Sequence, residues 1–161
     1  MTILETVYAS APADQVIIPT LEIDHPSFDT IRIAADFSDH TVTLEDMSVV
    51  TFEQSAFDYQ LPNKDTSGNQ TLTFAIENVT GRAQAALDAA LATGGQITVT
   101  YREYLASDLS APAGPPVVMT LIGASFERGL CQIQCAYFDL LNTAWPRQRY
   151  TAEFSPGIRY L

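Results

Sequence analysis

Residues able to do chemistry are few in this chain, and their spacing argues against it. Cys131 and Cys135 are the only cysteines. Four positions apart on an extended strand they stand roughly 13 Å apart, beyond the roughly 7 Å that a disulfide tolerates, so they read as small buried apolar residues. As metal ligands they need two further partners, and the two histidines, His25 and His40, lie far away in sequence. Iron–sulfur ligation by four cysteines is excluded within one chain. The run Gly123-Ala124-Ser125-Phe126-Glu127 begins like a nucleophile elbow but lacks the second glycine and sits in strand-like sequence. His25 precedes Pro26 and His40 follows Asp39, which reads as two solvated turn histidines. Glu45 and Asp46 are consecutive and point apart on an extended chain, unlike a glycosidase pair. Lys64 to Asn69 starts like a calcium loop, but its glycine comes too early and Ile76 stands where the bidentate glutamate belongs. The glycosylation patterns at Asn69 and Asn78 carry no meaning without a secretory leader. The expectation is no catalytic residue, no cofactor and no metal.

Charge excludes further classes. The 161 residues carry 19 acids and 8 bases, a net of -11. Residues 1–101 hold 14 acids and 3 bases, and residues 102–161 hold 5 of each. Such a chain repels nucleic acid and anionic membranes, because phosphate binding requires clustered Lys and Arg. The acids either keep the chain soluble or line a passage through which a polyanion moves without sticking. The start, MTILETVYASAPADQ, has no basic stretch followed by an apolar run, and no apolar run approaches the about 20 residues of a membrane span, so a soluble protein made in the cytoplasm is expected.

The elements that must position these residues are mostly strands. Leu21 and Ile23 alternate with Glu22 and Asp24, a turn falls at His25-Pro26, and Ile31 and Ile33 resume the alternation. Thr41–Leu44 and Val49–Phe52 flank a turn and predict a hairpin. Phe57, Tyr59 and Leu61 alternate again before the polar loop 62–70. The stretch from Thr71 to Leu105 predicts strand, helix, strand. Leu72, Phe74 and Ile76 have period 2, Ala83, Ala86, Leu87, Ala90 and Leu91 form a narrow apolar helical stripe, and Ile97, Val99 and Tyr101 alternate. Thr80 is placed to cap that helix, and Gly94 and Gly95 to end it. An alanine stripe lets a helix lie close to a sheet but anchors it weakly. Residues 106–116 are a loop. Val117–Ile122 and Leu130–Phe138 form a second hairpin, with Cys131, Ile133, Cys135 and Tyr137 on one face.

The ends are different. Residues 3–10 form a short helix or a detached arm. The last segment holds Trp145, Tyr150, Phe154, Tyr160, three arginines and two prolines without any period. That composition suits a protein interface or a wrap over the chain's own core. The organisation is therefore an N-terminal arm over 1–15, a β-rich domain over 16–141 and an extended interaction tail over 142–161.

Four stretches together resemble a family of minor tail-tip proteins of long-tailed bacteriophages: YASAPADQVIIPTLEIDHPSFDTIRI, LTFAIENVTGRAQAALDAAL, TVTYREYLASDLSAP and AWPRQRYTAEFSPGIRYL. The resemblance covers nearly the whole chain, and TLEIDHPSF and PRQRYT followed by FSPG are its most specific parts. It implies a structural component of the virion tail tip, made in the host cytoplasm, joining the tail tube to the receptor-binding apparatus around a lumen that conducts DNA. It also implies a mainly β fold with one short helix (α+β), a tail-tube-like β-sandwich or half-barrel. Its partners would be further copies in a ring, a hexamer ahead of a trimer, together with tail-tube, hub and other tail-tip proteins. Such a ring closes by head-to-tail contacts. No specific nucleic-acid binding and no membrane insertion are expected. Trp145, Arg147, Arg149, Tyr150, Phe154 and Tyr160 are expected to carry the docking, with Leu4 and Tyr8 as a second interface. Two other classes stand beside this one: a carbohydrate-binding module with Tyr101, Tyr104 and Tyr137 as a flat platform, and a cell-envelope hydrolase using His25 or His40.

Overall fold

The computed structural model describes residues 15–60, 71–77, 81–127 and 129–137, together with Ala9, Phe154 and Gly157. The strands are β1 (Ile17–His25), β2 (Phe28–Ala34), β3 (His40–Thr43), β4 (Val49–Gln54), β5 (Phe57–Gln60), β6 (Thr71–Glu77), β7 (Thr98–Leu105), β8 (Val117–Glu127) and β9 (Leu130–Ala136), with one helix, α1 (Arg82–Thr93), between β6 and β7. The expected hairpins form: β3 pairs antiparallel with β4, and β8 with β9. The expected N-terminal helix or arm and the segment 142–161 fall outside the described residues, apart from Ala9, Phe154 and Gly157. Among the described residues no helix is long and apolar enough to cross a membrane.

The expected sandwich or half-barrel is corrected by the pairing. All nine strands belong to one mixed sheet in the order β3-β4-β2-β1-β7-β8-β9-β6-β5, antiparallel except where β2 meets β4 in parallel through Ile33–Glu53 and Ala34–Gln54. The sheet does not stay flat. Between β5 and β7 lie β6, β9 and β8, which in a flat sheet would separate them by roughly 19 Å. Yet the rings of Tyr59 and Tyr101 lie 5.4 Å apart. The sheet therefore coils over its own apolar face. A bulge at Ile122 shifts the β8–β9 register between Leu121 and Gly123 and adds to the twist.

Register sorts the side chains onto two faces. Leu21, Ile33, Val99, Tyr101 and Met119 share the inner face with Leu72, Phe74, Cys131, Ile133 and Cys135, and form the main core. On the other face, Ile18, Ala34 and Tyr104 pack against Val42 and Phe52 of the β3–β4 hairpin, making a second, smaller core. Burial of these side chains is the main stabilising term, about 1.5–3 kcal/mol for each large aliphatic or aromatic one.

Helix α1 lies over the inner face through Ala83, Leu87 and the buried Ala90, while Leu91, 79% exposed, leaves the stripe that the spacing assigned to it. Its N-cap is Gly81, in the left-handed region at φ 71°, without a side-chain cap. The expected cap, Thr80, lies outside the described residues. Gly94 ends the helix as expected, its amide bonding the carbonyl of Ala90 at 2.9 Å.

Candidate functional site

The groups singled out for chemistry are built into turns and core. His25 corrects the expectation of a solvated loop residue: it is 3% exposed at the end of β1. Its Nδ1 accepts the amide of Ser27 at 3.2 Å, and the Ser27 hydroxyl lies 2.7 Å from the same nitrogen. Because Nδ1 is an acceptor, that hydroxyl donates to it. The ring stacks on Phe28 with centroids 5.7 Å apart, and a Cβ added at Gly95 would stand 3.0 Å from its Nε2. His25 thus shapes the β1–β2 turn and seats the loop that follows α1. His40 is half-buried, and its Nε2 meets the Asp36 carboxylate at 2.6 Å and the Ser38 hydroxyl at 3.4 Å. A Ser–His–Asp relay needs the two ring nitrogens to face different partners, whereas here one nitrogen faces both. Cys131 and Cys135 are buried as expected, and burial pushes the Cys135 thiol up to about 12. Gly123 to Glu127 continue strand β8 rather than turning into a helix.

Glu45 and Asp46 diverge, and their divergence organises the surface that stands out. Glu45 reaches back over the sheet to Arg102, whose Nε donates to Oε1 at 2.9 Å and Oε2 at 3.1 Å. Nη1 of Arg102 lies 3.4 Å from Glu22, which also receives Nε of Arg32 at 2.7 Å. Burial opposes the charge on Arg102, but the bond from Glu45 and the charges of Glu22 and Glu45 prevail and hold its pKa above the usual value. A charge this deep persists only when paired. The Tyr104 hydroxyl donates to the Thr43 carbonyl at 3.1 Å, and the Thr43 amide donates to the Leu109 carbonyl at 3.0 Å. Together with Val42 and Phe52 in the second core, these bonds fix a hairpin that the sheet ladder itself holds through only two residue pairs.

Asp46 turns the other way and closes the tip. Its Oδ1 accepts the Ser48 amide at 3.0 Å and the Ser48 hydroxyl at 2.6 Å, and the hydroxyl bond above all holds its carboxyl below the usual value. The Leu44 amide bonds the Ser48 carbonyl at 2.9 Å and the Met47 amide bonds the Leu44 carbonyl at 3.1 Å. This is a tight turn followed by one left-handed residue, a position that glycine normally fills. Here Met47 fills it at φ 66°, the one non-glycine with positive φ among the described residues. The side chain it presents is 84% exposed. Next to it Val49 is 67% exposed, on the outer hairpin face with Thr41 and Thr51, whose hydroxyls meet at 3.1 Å. At the far end of the hairpin Phe37 is 98% exposed. Asp46 stands beside Met47 at the tip, and Asp36 and Asp39 stand with Phe37 at the far end. Arg32 and Arg102 are both bound in the network beneath the hairpin.

Two other features are weaker. A cavity of 180 Å3 lies between α1 and the sheet, walled by Ile23, Phe28, Ile33, Ala86, Leu87 and Ile133. The outer face of β8–β9 exposes Val118, Ile122 and Leu130 beside Gln132 and Gln134.

Of the expected interface residues, Leu4, Tyr8, Trp145, Arg147, Arg149, Tyr150 and Tyr160 lie outside the described residues, and Phe154 is 74% exposed. The tyrosine platform is corrected. Tyr101 and Tyr104 are buried on opposite faces of β7, which leaves only Tyr137 of the three exposed. Sequence reasoning missed Met47, Val49 and Phe37, although a hairpin turn without glycine or asparagine was a readable sign.

A family model described as a domain of unknown function (DUF1833) matches residues 2–150. No curated protein matches the chain.

Proposed function

The chain belongs to the DUF1833 family of unknown function, and from its surface we propose that it is a structural subunit of a bacteriophage tail tip, built into a ring around a DNA-conducting lumen. The observation that carries this reading is the strained, exposed Met47 on a hairpin clamped from beneath. A left-handed conformation costs a non-glycine residue about 1–2 kcal/mol. Strain of this kind concentrates where a side chain is held for a partner. The fixed hairpin presents Met47 and Val49 on a support that does not have to reorganise on contact, which favours assembly.

Charge supports the same reading. The network pairs Arg32 and Arg102 with Glu22 and Glu45, while Asp24, Asp29, Asp58 and Asp88 remain at the surface. A lumen lined by such residues repels phosphate and lets DNA slide. The resemblance of four ordered stretches to tail-tip proteins supplies the particular assembly. Gold labelling of a tagged chain on phage particles produced from its own genome tests this: label confined to the tail tip supports it, and particles that lack the chain altogether refute it.

A further inference from the structure

We propose that two copies of the chain pair edge to edge through the distal half of β8, residues 122–127, so that the sheet of one continues into the sheet of the other. Strand β7 covers only the first part of β8, from Val117 to Thr120, and the Leu121 amide then bonds the Ile97 carbonyl at 3.0 Å. From the bulge at Ile122 onward, β8 pairs with β9 alone among the described residues. The uncovered side shows in the burial. Met119, on the inner face where β7 pairs, is 2% exposed, whereas Phe126, opposite the buried Cys131 on that same face, is 42% exposed.

The chemistry of this edge names its occupant. Glu127 and Leu130 pair across a two-residue connection, and the pair that closes such a hairpin is hydrogen-bonded. Alternation then turns the N–H and C=O of Ala124 and Phe126 away from β9. Open backbone groups of this kind accept another strand, and residues 122–126 carry neither a charge nor a proline to prevent it. The strand that fits is the same one from a second copy. The chain has a net charge of -11, yet residues 109–138 hold one acid and one base, so two copies meet here without the repulsion that acts elsewhere. In antiparallel register about Ser125, Ala124 of each copy lies opposite Phe126 of the other, small against large on the inner face. Each such pair exchanges two hydrogen bonds. Ser125 then meets Ser125, and Glu127 meets Gly123 rather than a second acid. The contact is isologous and closes at two copies, so it adds to the ring reading without depending on it.

The test uses full-length variants. Ser125→Cys places a thiol at the two-fold axis, in a non-hydrogen-bonded pair whose Cα atoms stand roughly 4.5 Å apart, within the range of a disulfide. Gln132→Cys places one on the same outer face but one strand further from the axis, out of reach. Cys131 and Cys135 are buried and do not compete. With oxidised glutathione, which is reduced as the thiols oxidise, Ser125→Cys is expected to run as a disulfide-linked dimer on a non-reducing gel and Gln132→Cys as a monomer. Ala124→Pro removes an outward N–H that β9 does not use. Its self-association in sedimentation is expected to fall about tenfold or more, with an unfolding midpoint like that of the wild type. A Ser125→Cys protein that stays monomeric at its highest soluble concentration, or equal dimer yields from the two cysteine variants, overturns the inference and leaves the ring reading standing. Association of Ala124→Pro at wild-type strength overturns it as well.

Discussion

Met47 occupies a backbone position that its side chain does not favour. Met47→Gly removes a left-handed penalty of about 1–2 kcal/mol and adds about 0.5–1 kcal/mol of unfolded-state entropy. The variant is therefore expected to be more stable in urea by roughly 0.5–1 kcal/mol while associating less strongly. Stability and assembly should move in opposite directions, which a purely structural methionine does not produce. Cys131 and Cys135 give a second prediction. Burial raises both thiols above their ordinary values, and the thiolate is the reactive form. An aromatic disulfide reagent at neutral pH should titrate neither in the folded protein and both in denaturant; fast native labelling would contradict their placement. These thiols were legible, since alternation with Ile133 put them on the core face. His25 was legible too, two residues beyond Ile23 on the same face of β1, but the following Pro26 drew attention to the turn instead. The burial of Tyr101 and Tyr104 was not legible, because nothing local reveals that β7 is a central strand covered on both faces.

At the scale of the element, the β3–β4 hairpin depends on Arg102. Arg102→Ala leaves Glu45 without its cation and Glu22 with Arg32 alone, and because Glu45 stays partly in water the loss is expected at about 1–3 kcal/mol, below that of a fully buried pair. Urea unfolding should show a loss of that order, with weakened assembly as a consequence. The turns respond to acid. Asp36, Asp46 and Asp108 each accept local hydrogen bonds that hold their carboxyls below the ordinary 3.8. The unfolded chain therefore binds protons before the folded one does. Their stabilisation is complete above the ordinary value and is lost as pH falls through the lowered ones. The thermal midpoint should hold between about pH 5 and 7 and fall below about pH 4, and Asp46→Asn should soften that fall. The helix was readable from its spacing, but its seat was not. Leu91 belonged to the stripe by count, yet α1 meets the sheet along Ala83, Leu87 and Ala90, and the coil of the sheet decides where that contact ends.

At the scale of the molecule, local pattern identified most strands and misjudged their arrangement. β1 pairs with β7, whose first residue lies 73 positions beyond the end of β1, and β6 pairs with β9 across the helix and two strands. Pairing of this range leaves no local mark, so the expected sandwich gave way to one coiled sheet. A chain ending at Asn142 should keep a cooperative unfolding transition and lose assembly into the ring; loss of folding would instead assign the tail to the core.

On the proposed reading this chain assembles with copies of itself through surfaces held ready on the folded monomer. Light scattering of the purified full-length protein over a concentration series tests it most directly. The mass is expected to rise from the 17.6 kDa monomer to a closed multiple and then stop, either alone or once neighbouring tail proteins are added. A constant 17.6 kDa at every concentration and with every such partner would contradict it.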